Sequence, residues 1–478
     1  MGKTAVRIAG FSCFTFFLAC RGARTIPDHP DATGDASESD SASSSPEASD
    51  SSGDDSAEAS AADVEEATTR FKSDAPPPTG SFCSLPGSVV WTAQGSTVVP
   101  GGDPSAPDLA WLKVPAGFCT HYFGTVKTAR QLKFAPGGDL FAASPTQGTT
   151  GGAGDGIAGI QILPDDNHDG NADTNVHYLE GQLKSIQGLL FANGYFYYQD
   201  ATVIRRVPYQ AGDRPPSGAA EVVTMMDGWP QALEHWPRVF DQAADGTIYI
   251  TNGGSQSDRC DPTWPVRGGV FRLNGDKTTS TWAMGFRNPI AMRCEANHDV
   301  CLVAELALDY SLDVGREKVV PLSQGDNWGY PCCATKNVPY KMVTYPDGTV
   351  PDGSGVALDT DSFVIGHTPF GLDFETGKWP APWQGRVYVT LHGDVGTWSG
   401  ARIVAIALDS NGMPLPATEL DGGAGASTNM LEFATGWGDG TRLHGRPAPV
   451  TFAPDGRMFV GDDQRGAVVW IAPVGLMH

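Results

Sequence analysis

The chain has 478 residues and a formal net charge of −23 at neutral pH. That length leaves room for one large domain with flanking extras. The acidic balance argues against a nucleic-acid partner, because a negative surface repels a phosphate backbone.

Residues 1–20 stand apart from the fold. Lys3 and Arg7 make a basic start, and residues 8–19 are apolar but too short to span a bilayer in the usual way. The stretch ends in FFLAC, where a small residue followed by Cys20 resembles a bacterial lipoprotein signal. On that reading Cys20 becomes the lipidated first residue of the mature chain; the alternative is an ordinary secretory signal cut nearby. Both readings imply export, to the periplasm or the cell surface, with membrane contact through a lipid anchor only.

Residues 21–80 read as a disordered tether. Between Asp28 and Gly80 there are fourteen acidic residues against Arg70 and Lys72, among Ser, Ala, Gly and Pro. Such a segment buries too little apolar surface to offset its ordering entropy.

From residue 81 to 478 the composition is that of a folded domain, with no clean helical period. One pattern recurs: an apolar residue, a turn with Gly or Asp, then an alternating strand. It appears as FAPGGDLFAAS from Phe134, FANGYFYYQD from Phe191, AADGTIYITN from Ala243, CEANHDVCLVAE from Cys294, FETGKWPAPWQGRVYVTLHG from Phe374 and FAPDGRMFVGDD from Phe452. The D-G and G-G pairs signal hairpin turns. Six hairpins, about 50 to 85 residues apart, predict an all-β, six-bladed propeller with four strands per blade. Radial closure explains how so many strands avoid exposed edges.

DDNHDGNAD, from Asp165, adds a metal signal. Asp165, Asn167, Asp169 and Asp173 alternate around Gly170 like the start of a calcium loop. Val176 stands where a twelfth-position Glu would close an EF-hand, so the expectation is a calcium-stapled loop between blades, with a solvated acidic turn as the alternative.

Seven cysteines remain after Cys13 and Cys20. Cys294 and Cys301 lie at hairpin distance, Cys83 pairs plausibly with Cys119, and Cys260 with either Cys332 or Cys333, leaving one thiol over. No pair of C-x-x-C motifs signals zinc.

The segments between the hairpins carry a resemblance. EHWPRVFDQAADGTIYITNGGS from Glu234, GFRNP at 285–289, GDNWGYP at 325–331, HTPFGLDF at 367–374, VTLHGD at 389–394 and GRPAPVTFAPDGRMFVGDD from Gly445 occur in that order. Together they resemble the glucose/sorbosone dehydrogenase family, over about Pro115 to the C-terminus. FANGYFYYQDATVIRRVPYQAGD looks closer to the sorbosone branch. The resemblance implies a six-bladed propeller that uses pyrroloquinoline quinone (PQQ) and calcium to oxidise a sugar, passing electrons to an external acceptor.

Residue by residue, His235 matches the family's catalytic base, the role histidine commonly fills near neutral pH. Arg287 matches the arginine that holds the quinone, and Asn288 stands beside it. Arg446 matches an arginine that pairs with a PQQ carboxylate, and Gln187 and His392 fall at further cofactor-binding positions. Glu305 and Glu317 are the acids nearest the expected calcium. Three positions depart from the glucose branch: Gly254 replaces an acidic residue that supports the base, His392 a lysine, and Ala448 a second arginine. The rival readings are a binding propeller without the cofactor and a metal-dependent lactonase on the same fold.

Overall fold

All six hairpins form, and each occupies the same place: it joins the innermost strand of an antiparallel blade to the second strand. The computed structural model describes residues 79–478, apart from 146–158, 180–182, 184, 215, 227–234, 255–258, 262–267, 296, 309–313, 342, 360, 395–398, 420–427 and 439–442. The expected signal segment, and the tether up to residue 78, lie outside the described residues.

Blade one is built from Gln131–Phe134, Leu140–Ser144, Gly159–Leu163 and Val176–Tyr178. Blade two follows with Leu189–Ala192, Tyr195–Asp200, Val203–Pro208 and Glu221–Met225. Blade three has Phe240–Gln242, Ile248–Asn252, Gly268–Leu273 and Thr279–Phe286. Blade four has Asn288–Glu295, Val300–Leu306, Glu317–Pro321 and, after a long insertion, Ser362–Phe363. Blade five has Pro369–Phe374, Arg386–Leu391, Arg402–Ala407 and Met430–Ala434.

Blade six closes the ring with both ends of the chain. Its first three strands are Pro447–Phe452, Met458–Asp462 and Ala467–Pro473, and its fourth is Phe118–Thr125 from the N-terminal side. The hairpin Val89–Thr92 with Gly95–Val98 then covers the edge of that strand, so the closing blade ends in a short, protected edge.

Between blades the core is aromatic. Phe141, Tyr178, Phe196 and Tyr209 fill the space between blades one and two, and Trp379, Tyr388, Phe433 and Phe452 that between five and six. Disulfides join Cys83 to Cys119, Cys260 to Cys332 and Cys294 to Cys301, and Cys333 is the buried free thiol. The structure thus selects Cys332 for Cys260.

The six inner strands surround a narrow channel. At the hairpin end a belt of charges ties five of them together. Lys133 reaches Asp241 at 2.9 Å, Arg293 bridges Asp241 at 3.5 Å and Asp373 at 2.7 Å, and Asp373 accepts from Thr451 and the Phe452 amide. Towards the middle, Ile290, Phe370 and Ala448 form an apolar plug. A small pocket of about 30 Å³ lies beside Arg130, Gln187 and Ile290.

Candidate active site at the channel mouth

Antiparallel pairing brings the starts of the inner strands and the ends of the second strands to one end of the ring, the mouth. Asn288 pairs with Leu306 there, and Pro447 with Asp462. Inner strands four, five and six begin with an X-Pro step, at Asn288-Pro289, Thr368-Pro369 and Arg446-Pro447. Proline is tolerated because the channel-facing edge of an inner strand has no partner for its N–H. A register shift follows each of these prolines, and such bulges re-aim neighbouring side chains. In four of the six blades an arginine stands one or two residues before the inner strand: Arg130, Arg238, Arg287 and Arg446. All four are buried.

His235 and Arg287 are joined through one residue. The Nδ1 of His235 lies 2.6 Å from the Gly254 carbonyl oxygen, and the Gly254 N–H donates to the Arg287 carbonyl at 2.7 Å. A carbonyl can only accept, so Nδ1 carries the proton and Nε2 is left with its lone pair. Burial, then the Arg287 charge, lowers the imidazole to about 3, so it is neutral at physiological pH. The glycine that departs from the family pattern therefore orients the histidine with its backbone. The preceding Gly253 is required by close approach: a Cβ there would stand 2.3 Å from the His235 Cβ and carbonyl oxygen.

Arg287 is held on two sides. Its N–H donates to Glu305 Oε1 at 2.6 Å and its Nη1 to the Ala307 carbonyl at 2.6 Å. Glu305 is buried, with Lys318 3.7 Å away, and burial raises its carboxyl. Glu317 accepts the Ala307 N–H and the Gly366 N–H. Gln187 donates to the Ile290 carbonyl at 2.8 Å. Three buried oxygens here have no hydrogen-bond partner among the described residues: Asn288 Oδ1, Gln187 Oε1 and Glu305 Oε2. Leaving such atoms unpaired is costly unless something completes them.

On the far side of the mouth, Asp463 gathers three partners. Arg446 grips it with a fork at 2.6 and 2.9 Å, His392 Nε2 lies 3.1 Å away and Arg130 Nη2 3.3 Å away. Burial works against the Asp463 charge, but His392, Arg130 and Arg446 together hold its carboxyl well below the usual range. His392 itself is lowered to about 4, first by burial. Ala448 is packed into the channel plug, which leaves no room for an arginine at that position. Arg446, expected at a cofactor carboxylate, thus already holds a protein carboxylate. Arg130 was missed because TARQLKF carries no motif; its place just before an inner strand is the signal that identifies it.

The Asp165–Asp173 loop does not run between blades as expected: it joins the paired third and fourth strands of blade one. Asp169 accepts from the Asn171 N–H and from Asn167, Asp173 accepts the Asp166 N–H, and Trp470 pins the Gly170 carbonyl. Burial, with Asp169 and Asp173 nearby, pushes Asp165 up to about 7 against the pull of Arg457. Among the described residues no three His, Cys, Asp or Glu side chains form a ready metal cluster. A cavity of about 590 Å³ is lined by Gly268, Gly285, Tyr330 and Val356. It opens between the blade-four insertion and blade three, behind Gly285.

A six-bladed propeller with a buried, arginine-rich mouth and a neutral histidine defines the class. No protein-family model matches the chain, and no curated protein matches it in sequence. Solved structures do match its fold. The holo PQQ domain of pyranose dehydrogenase from Coprinopsis cinerea superposes with a TM-score of 0.61 at 15% identity, over 77% of this chain and 98% of that one. A calcium structure of a Trichoderma reesei carbohydrate-active enzyme of family AA12 gives 0.61 at 16%, over 78% and 98%. The apo soluble aldose sugar dehydrogenase from Escherichia coli gives 0.51 at 12%, over 74% and 99%. The chain has the propeller fold of these sugar dehydrogenases, as the motif order implied. The likeness does not single out the sorbosone branch.

Proposed function

We propose that this protein is an exported sugar dehydrogenase that binds PQQ at the channel mouth and oxidises an aldose or sorbosone-type substrate. The observation that carries the reading is the Gly254 peptide, which couples a neutral, oriented His235 to Arg287. The donor set fits an anionic, planar cofactor: four buried arginines surround the mouth over an apolar floor of Ile290, Phe370 and Ala448. PQQ, when bound, supplies the acceptor for the two electrons that leave with the substrate hydrogen.

His235 Nε2 takes the proton of the sugar hydroxyl, and the Gly254 carbonyl steadies the imidazolium that results. Arg287 places a fixed positive charge where negative charge develops. Asn288 and Gln187 offer their unpaired oxygens as acceptors to the bound molecules. Calcium belongs to the proposal as the cofactor's counter-ion, although Glu305 Oε2, the acid expected nearest it, already faces the Lys318 ammonium at 3.7 Å, and a second calcium is proposed for the Asp165, Asn167, Asp169 and Asp173 loop. Three disulfides suit an oxidising compartment and support export. The lipid anchor at Cys20 rests on the FFLAC stretch alone.

One observation favours the second reading, a binding propeller without PQQ: Arg446 and His392 are already bound to Asp463. The lactonase reading fits less well, since arginines dominate the mouth. Reconstitution with PQQ and calcium, an aldose panel and an artificial electron acceptor decides between them. The enzyme should bind PQQ at micromolar concentration, and His235→Ala should still bind it but turn over about 10²–10⁴-fold more slowly. A wild-type chain that takes up no PQQ leaves the binding propeller.

A further inference from the structure

We infer that His367, at the mouth end of blade five, is a substrate-binding residue, and that its Nε2 meets a hydroxyl of the sugar other than the one oxidised and so sets which sugars are accepted. The inference rests on the proposed sugar-dehydrogenase reading and deepens it by naming a contact for the substrate. None of the roles given above to the mouth residues uses this histidine.

The backbone places it. His367 stands two residues before the inner strand Pro369–Phe374, against the end of the second strand: the Gly393 N–H donates to the His367 carbonyl at 3.2 Å, and the His392 N–H to the Thr368 carbonyl at 2.9 Å. A run of bonds also leads to it from Arg287. Arg287 Nη1 donates to the Ala307 carbonyl, the Ala307 N–H donates to Glu317 Oε2, and Glu317 Oε1 accepts the N–H of Gly366, next to His367 in the chain. His367 therefore belongs to the same rim as Arg287, on its blade-five side.

The ring is held by a carboxylate. Its Nδ1 lies 2.8 and 3.1 Å from the two oxygens of Glu419, which is buried. Burial works against the Glu419 charge, but the bond to His367, the Arg402 charge and the Val364 N–H together hold its carboxyl at about 2. An ionised carboxylate only accepts, so Nδ1 carries a proton and the bond sets the direction of the ring. Arg402 donates both to Glu419 and, at 2.9 Å, to the Gly400 carbonyl. Gly400 packs against the imidazole: a Cβ there would stand 2.2 Å from its Cδ2 and 2.4 Å from its Nε2.

Nε2 is left without a hydrogen-bond partner among the described residues, and the side chain is 12% exposed, so the nitrogen is placed but not sealed. A sugar hydroxyl is the group suited to it. A hydroxyl both donates and accepts, so it can meet the nitrogen with or without a second proton on the ring. A buried carboxylate, a guanidinium and a glycine all serve to fix one imidazole, which is the support a recognition residue requires. A site built to bond a hydroxyl rejects the analogue that lacks it.

The test uses the full chain reconstituted with PQQ and calcium, the aldose it oxidises best, and the singly deoxygenated analogues of that aldose that keep the reacting hydroxyl. With one of these analogues the wild type should lose about tenfold or more in kcat/KM. His367→Ala should raise KM for the parent aldose by a similar factor, leave kcat nearly unchanged, and treat that analogue and the parent alike. His367→Gln, whose amide oxygen can reach the place of Nε2, should recover part of the discrimination. Glu419→Gln, which keeps the ring but loosens its direction, should blunt it, and this variant carries the test should the alanine variant not fold. If His367→Ala keeps the wild-type discrimination, if it slows every sugar equally, or if the wild type discriminates against no analogue, the inference is overturned while the proposed function stands. A wild-type chain that takes up no PQQ or oxidises no aldose overturns both.

Discussion

His235 shows how one backbone carbonyl sets a chemistry. Burial of the ring, then the Arg287 charge, lowers the imidazole to about 3 against the opposing pull of the Gly254 carbonyl that orients it. An ordinary histidine titrates near 6.5, so a base of that kind would lose activity below neutral pH. In the reconstituted enzyme kcat/KM should therefore stay level from pH 7 to pH 5, and a pH–rate profile with its acidic limb near 6.5 would remove His235 from the role. Asp462 gives the opposite titration. Its folded value is about 7, against about 3.9 for an unfolded aspartate. The folded state binds the extra proton between those values, so this group's stabilisation is present at low pH and is lost as the pH rises to 7. His235 and His392, both lowered, act in the reverse sense between their folded values and 6.5, which flattens the wild-type curve. Asp462→Asn should isolate the effect: no change in melting temperature at pH 4, and a rise at pH 8 that thermal unfolding reads directly. Each unit of displacement carries about 1.4 kcal/mol.

At the level of strands and loops, the hairpins were legible because the turns at the hairpin end are short and carry their own chemistry. Gly138, Gly194, Gly246 and Gly456 all adopt the left-handed backbone their turns need, and that requirement is written locally. The mouth is different. Its groups come from chain segments far apart: Arg130 and Asp463 are brought together only by ring closure. GFRNP was legible for a related reason. Gly285 has φ +82° and faces the Asn327 side chain and the Gly329 amide so closely that no Cβ fits, so the turn that aims Arg287 has a local signature. The acidic loop from Asp165 has a calcium-like spacing in the sequence, yet its side chains brace one another. If it takes calcium, millimolar calcium should raise the melting temperature by mass action and chelator should reverse the rise. Asp169→Ala should abolish the response, whereas indifference of the wild type to both additions would leave only an acidic turn.

For the molecule as a whole, the blade count followed from spacing, but the closure did not. The strand Phe118–Thr125 pairs with Ala467–Pro473 across most of the chain length, and no local pattern announces such a partner. Neither did the sequence reveal how thoroughly the centre of the ring is filled. The Ile290–Phe370–Ala448 plug and the belt from Lys133 to Asp373 block the axis from the mouth to the hairpin end. Among the described residues the ring is therefore filled towards its hairpin end and leaves the mouth as the way in. On the proposed function, sugar would enter and oxidised product leave by that opening, and the electron acceptor would have to come to it as well. Donor and acceptor have to take turns. Initial rates measured against both should give parallel double-reciprocal lines, the pattern of a ping-pong sequence, and high concentrations of either should inhibit competitively against the other. Intersecting lines would mean that both can occupy the mouth at once, and that the acceptor draws its electrons from the rim.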